Sequence, residues 1–492
     1  MRIYSTLLMV ILSLSWLSCK EDEPVAIEVV FAKPSAEVQL SVVTLTSTFT
    51  INRGNVNESG FLFGESAGLT ISSATKLPST ITNSIRVIQT GLALGKQYFA
   101  RPYAIAENET FVGEEISFST FKPSYSAISP LTAGRGQRVT ITGDFGVDNV
   151  TSVQLKIGGT TPTITSYSKN SLTFLIPESL AFEAQPIDLQ ISGYTIAISE
   201  KVTVSRWSTL SMITSPNLFI GGVSSYQAYS FVNGNLIYHF VNDRAYVYDI
   251  ATDTWSQDNT LKNPDLLTYP IYFQIGTKGY AGLSFNNKEL RQFDLTTKTW
   301  STAGTFPGTA RTFYYGVFSA RGTKGYYGLG YGNDGSSGAG TPMVDFWEFD
   351  SSTNQWTQRK DYPGTPIGYG IAFTINEYVF AGIGINKETG QELKKVYAFN
   401  TLDNTWTQVA DFPGPYSTYM KAFALGKKGF VIVKNQIWVY DFDSNQWSLY
   451  PDLIPGPESR SNAQVYVGSN FFIVGSGIAG QYLSDFYKLY PY

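Results

Sequence analysis

The chain has one cysteine, Cys19, and one histidine, His239, in 492 residues. A single cysteine excludes a disulfide framework, and the pair together excludes a zinc site built from those ligands. Charge is also scarce: 35 Lys and Arg stand against 39 Asp and Glu, and no basic run occurs anywhere. That balance offers nothing to a phosphate backbone, so nucleic acid is not an expected partner. No cofactor is expected either. What is plentiful is aromatic, 15% of the chain, with glycine and threonine at short spacing. This is the composition of an all-β protein. The length, at roughly 150 residues per domain, suggests about three modules.

The amino terminus reads as a targeting segment. Arg2 precedes an apolar stretch over residues 6–17 that is too short to span a bilayer as a helix. Leu14-Ser15-Trp16-Leu17-Ser18-Cys19 resembles a lipobox. The resemblance implies a signal peptide over 1–18, lipidation of Cys19, a tether over 19–24, and a membrane as partner through that lipid. Lys20-Glu21-Asp22-Glu23 is similar to the surface-export signal of Bacteroidetes lipoproteins. By that likeness the protein is held on the outer membrane, exposed at the cell surface.

Two small β-sandwiches are expected next. Over 25–120, short alternating apolar runs are broken by Asn, Gly and Ser turns. Gly91-Leu92-Ala93-Leu94-Gly95-Lys96-Gln97-Tyr98 resembles the tyrosine corner of fibronectin type III-like modules. Over 122–205, Ser129-Pro130, Gly136-Gln137-Arg138-Val139-Thr140-Ile141-Thr142-Gly143 and Leu175-Ile176-Pro177 resemble an IPT/TIG immunoglobulin-like domain. Both read as spacers or docking surfaces, because neither holds a cluster suited to chemistry.

The remainder, 206–492, is organised by a repeat. An aromatic, then Asp or Asn, then Trp six residues further on, occurs at Tyr248-Asp249/Trp255, Phe293-Asp294/Trp300, Phe349-Asp350/Trp356, Phe399-Asn400/Trp406 and Tyr440-Asp441/Trp447. The tryptophans lie 45, 56, 50 and 41 positions apart. That period resembles kelch repeats of the galactose oxidase central-domain kind, in which each unit is one four-stranded blade. A sixth unit from Gly468 ends before its Trp, and Arg206-Trp207-Ser208-Thr209-Leu210 matches the missing outer strand. The expected fold is therefore all-β: two sandwiches followed by a six-bladed kelch-type propeller closed by an amino-terminal strand.

Aligning the innermost strands on Phe231, Phe273, Phe318, Phe373, Phe423 and Val465 places Tyr269, Tyr314, Tyr369 and Tyr419 four residues ahead in four units. Tyrosines there offer flat faces and hydroxyls to a sugar or peptide, or simply fill a tapering centre. Arg311 and Arg460, in loops entering the third and sixth units, are candidates for a carboxylate or sulfate, and Tyr331 for a peptide contact. Residues 331–343 and 386–395 are the longest insertions. The innermost strands contain no Asp or Glu, which removes an acid/base pair from the channel, and His239 suits packing. Three functions stay open. The first is a non-enzymatic surface protein binding a glycan or protein ligand. The second is an accessory subunit of an outer-membrane β-barrel import or secretion complex. The third is an enzyme resembling the kelch sialic-acid epimerases, which would need Asp265, Asp334 or Glu458 at the channel mouth.

Overall fold

The computed structural model describes residues 26–146, 150–212, 228–241, 244–264, 270–283, 287–309, 311, 317–332, 340–481 and 483–492. Cys19 with its tether, Tyr269 and Tyr314 lie outside the described residues. The described chain is all-β; its only helices are two three-residue 3-10 turns, Val150–Ser152 and Asn259–Leu261. It divides into two compact units, one of residues up to 131 with 138–175 and 185–202, the other of 132–137, 176–184 and 203–492.

In the first unit, Val42–Ile51 pairs with Val29–Phe31, Ser35–Gln39 and Ser84–Gln89, and Val56–Gly64 pairs with Thr75–Pro78 and Gln97–Ala106. Strand alternation sends Val43, Leu45 and Phe49 of the first sheet and Phe61, Phe63 and Tyr98 of the second into one core. The Tyr98 hydroxyl accepts the Ala93 N–H at 3.0 Å, the bond of a tyrosine corner. Further on, Arg138–Asp144 lies between Ser124–Ser129 and Ser171–Leu175, and Val153–Ile157 pairs with Ala184–Ile191. Val139, Ile141, Leu155, Leu172, Phe174 and Leu189 are buried there.

The second unit contains six four-stranded antiparallel sheets. Sheet 1 is Ala228–Asn233, Leu236–Val241, Arg244–Asp249 and Thr254–Gln257. Sheet 2 is Ile271–Ile275, Lys278–Gly282, Glu289–Asp294 and Thr299–Thr305. Sheet 3 is Val317–Arg321, Lys324–Gly328, Phe346–Asp350 and Gln355–Arg359. Sheet 4 is Ile371–Ile375, Tyr378–Ile385, Glu392–Asn400 and Thr405–Gln408. Sheet 5 is Lys421–Leu425, Lys428–Val433, Gln436–Asp441 and Gln446–Leu449. Sheet 6 is Gln464–Val467, Phe472–Gly475 and Phe486–Leu489, with Trp207–Leu210 as its fourth strand, Trp207 opposite Leu489. The first strand of each sheet lies beside that of the next, and Gln464–Val467 lies beside Ala228–Asn233.

The aromatic-Asp-Trp repeat has a physical reason at each position. In all five copies the aromatic and the Trp are directly opposite across the outer strand pair. Their ring centroids are 4.7 Å apart at Tyr248–Trp255 and 5.2 Å at Tyr440–Trp447. Such pairs contribute about 0.5–1.5 kcal/mol beyond burial. The Asp or Asn side chain closes the turn between them: Asp249 Oδ1 accepts the Ala251 N–H at 2.9 Å, and Asn400 Oδ1 accepts that of Leu402 at 2.9 Å. In four of the five copies the indole N–H then reaches the chain leaving the preceding sheet. Trp300 donates to Leu261 O at 2.9 Å, Trp406 to Lys360 O at 2.9 Å and Trp447 to Ala410 O at 3.0 Å. Trp255 of sheet 1 donates to Ser211 O at 3.0 Å, just past the outer strand of sheet 6.

Neighbouring sheets also interlock through their centres. A Cβ on Gly279, Gly325 or Gly429 would stand within 2.6 Å of the rings of Phe231, Phe273 and Phe373, so each glycine is the seat for a phenylalanine of the preceding sheet. The observed register corrects the alignment of two units by one residue. Opposite the second residue before the closing glycine stand Phe273, Ser319, Phe373 and Tyr466, so Ser319 and Tyr466 replace Phe318 and Val465 in that row. Phe318 and Val465 occupy the alternate row instead, with Ser230, Tyr272, Ala372 and Ala422, and that row lines a common cavity.

Candidate functional site

Two cavities run along the innermost strands of the second unit. One, of about 780 Å³, is lined by all six strands and by the turns after them, among them Gly234, Asn235, Gly276 and Ser469. Its polar groups are neutral and partly engaged with one another. Gln274 Nε2 donates to Val232 O at 2.7 Å, and the Ser319 and Thr374 hydroxyls are 2.5 Å apart. The other, of about 170 Å³, opens at the starts of the strands and is lined by Tyr369, Tyr419, Met420, Lys421, Phe318 and Tyr272, with further apolar residues. It has room for one small ring.

Tyr369 and Tyr419 meet edge to face in this smaller cavity, with centroids 5.6 Å apart and planes at 87°. Both stand two residues before an innermost strand, and both hold left-handed backbone, with φ of 53° and 64°. That region is costly for bulky residues and persists only where the surroundings impose it; Asn462, at the same level in sheet 6, shares it with φ of 52°. Lys387 Nζ, from the 386–395 insertion, sits 5.2 Å from the Tyr369 ring centroid, within cation–π range.

The other sequence candidates lie elsewhere. Tyr331 is buried, and its hydroxyl accepts the Lys387 N–H at 2.9 Å, so it anchors the loop that carries Lys387 and lines neither cavity. Arg311 and Arg460 are not surface groups. Both side chains are fully buried, and each pairs with an aspartate directly preceding a third strand, Asp345 and Asp485 respectively. Arg460 grips both Asp485 oxygens, at 2.9 and 2.6 Å, and donates to Ser476 O at 2.6 Å. The Arg460 fork fastens its loop to sheet 6, and Arg311 holds Asp345 through Nη2. Glu458 is exposed and lines neither cavity; Asp265 and Asp334 lie outside the described residues. His239 is buried against Tyr466, with Nδ1 3.1 Å from its hydroxyl, and desolvation lowers its pKa to about 4.

One residue of the site escaped the sequence reading. Lys421 opens the first strand of sheet 5 and lines the smaller cavity together with Tyr419. Desolvation lowers its ammonium pKa from 10.5 to about 8. The signal was available: lysine is rare in a strand otherwise made of Ala, Phe and Leu. Neither cavity is lined by a described Asp or Glu, and no group of three or more His, Cys, Asp or Glu gathers among the described residues.

Comparison with known families identifies residues 123–205 as an IPT/TIG domain, so an immunoglobulin-like module of that family stands ahead of the six sheets. No curated protein matches the chain. Among solved structures, YjhT aligns with a TM-score of 0.45 and 13% identity, covering 56% of this chain and 96% of its own. An auxiliary nutrient-binding protein from Bacteroides ovatus aligns at 0.38 with 11% identity, over 75% of this chain and 97% of its own. Another, from Bacteroides thetaiotaomicron, aligns at 0.35 with 10% identity, over 75% and 97%.

Proposed function

We propose that this protein is a non-enzymatic binding protein, lipid-anchored through Cys19 outside the cytoplasm, whose six sheets are the blades of a kelch-like propeller. Its binding site is the small cavity at the starts of the innermost strands. The observation that carries this reading is the Tyr369–Tyr419 pair, two aromatic rings on left-handed backbone set edge to face in the wall of a cavity with room for one ring. Aromatic faces of this kind stack on the apolar face of a sugar with little loss of conformational entropy. The propeller assignment is supported by the neighbour relation that brings the sixth sheet beside the first, and by the strand Trp207–Leu210, which pairs in the sixth sheet although it precedes the first in sequence. The ligand is read as an extracellular glycan.

The test is a glycan array probed with the soluble chain from residue 25 and with its Tyr369→Ala and Tyr419→Ala variants. Binding to defined glycans that falls about tenfold or more in each variant is expected, since one stacking contact is worth about 1–2 kcal/mol. A blank array, or binding untouched by both substitutions, contradicts the proposal.

A further inference from the structure

Lys421 takes a strand position that is apolar in sheets 2 to 4 and is Gln464 in sheet 6. The register places it level with Ile271, Val317 and Ile371 of sheets 2 to 4, all buried. The buried cations of this unit have counter-charges: Arg311 faces Asp345, Arg460 faces Asp485 and Lys488 faces Glu178 at 3.7 Å. Lys421 has no ion pair among the described residues, and it lines a cavity whose described walls carry no carboxylate. Lys421 is partly buried; an ammonium partly withdrawn from water without a counter-charge is costly, and a bound anion offsets that cost.

We infer that Lys421 is the charge-recognition residue of the cavity, which takes a singly charged oxyanion, a carboxylate or a sulfate ester, carried on a ring that lies against the tyrosines. One ammonium balances one negative charge, so a monoanion is the matched ligand of Lys421. Lys387, already seated over Tyr369, adds positive potential on the same side and disfavours cationic ligands. The inference rests on the cavity being the glycan site and names the class of glycan it selects.

The experiment uses an array of matched sets, each holding a neutral glycan, its uronic-acid counterpart and its sulfate ester. It is read with the unmodified chain and with Lys421→Met, Tyr369→Ala and Tyr419→Ala. Acidic members are expected to bind about tenfold tighter than their neutral partners, the scale of a charge-assisted hydrogen bond. That preference disappears in Lys421→Met while binding of neutral members persists, and the ranking of uronate against sulfate identifies the source of the oxyanion. Equal binding of acidic and neutral members, or an acid preference that survives Lys421→Met, overturns the inference and leaves tyrosine-dependent binding intact. A blank array overturns both readings. Thermal unfolding of Lys421→Met, expected at or above that of the parent, separates loss of recognition from loss of fold.

Discussion

Replacing Lys421 by methionine should stabilise the protein at neutral pH, and the pH dependence of that gain is a signature of its cause. The ammonium titrates at about 8 in the folded chain against 10.5 for an ordinary lysine. Keeping it charged at pH 7 therefore costs the fold about 3 kcal/mol. Between those two values the unfolded chain binds the extra proton, so the parent gains stability as pH rises through the window and is most penalised below it. Methionine fills a similar volume with no charge, so its advantage should be about 3 kcal/mol at pH 7 and should fade toward pH 10.5. Urea unfolding followed by tryptophan fluorescence at several pH values measures the difference directly, because other titrating groups are common to both chains. A variant less stable at pH 7, or an advantage that does not change with pH, would refute the reasoning.

Other outcomes follow from the same structure. His239, held near 4 against 6.5 in the unfolded chain, makes the fold lose stability as pH falls through that interval, by about 3 kcal/mol in all. His239→Phe should flatten the acid limb, and a slope unchanged by it contradicts a buried neutral imidazole. Arg460→Met strips Asp485 of its guanidinium and should cost about 3–5 kcal/mol, largely recovered by adding Asp485→Asn, both read by denaturant midpoint. Trp406→Phe keeps the ring but removes the bond to Lys360 O, for about 1 kcal/mol by the same measure. A chain beginning at residue 212 lacks Trp207–Leu210 and leaves Phe486–Leu489 with an open edge; it should elute as oligomers in size-exclusion chromatography, and a clean monomer would argue against that strand's role.

The repeat was legible in sequence because its parts are local. Tyr248, Asp249 and Trp255 meet across one tight turn, so their spacing survives in every copy. Long-range relations were harder to see. Arg311 and Arg460 looked like free loop residues because Asp345 and Asp485 lie 34 and 25 positions away and become neighbours only when the third strand folds back. Aligning innermost strands on an apolar residue before the turn slips by one in two sheets, because Ser319 and Tyr466 hold that level while the apolar Phe318 and Val465 stand one residue earlier. Tyr331 was placed near a ligand because it follows a glycine, yet its hydroxyl serves the Lys387 loop. Lys421 carries meaning only in three dimensions, where it lines a mostly apolar cavity and has no carboxylate partner among the described residues.

The ligand is predicted to bind against the Tyr369–Tyr419 pair, at the starts of the innermost strands. A crystal structure of the soluble chain with the tightest glycan from the array tests it most directly. The account predicts a sugar ring stacked on one of the two tyrosines, its oxyanion within hydrogen-bond reach of Lys421 Nζ. A glycan seated instead in the larger cavity by Gly234, Gly276 and Ser469, or on the outer strands, would contradict it.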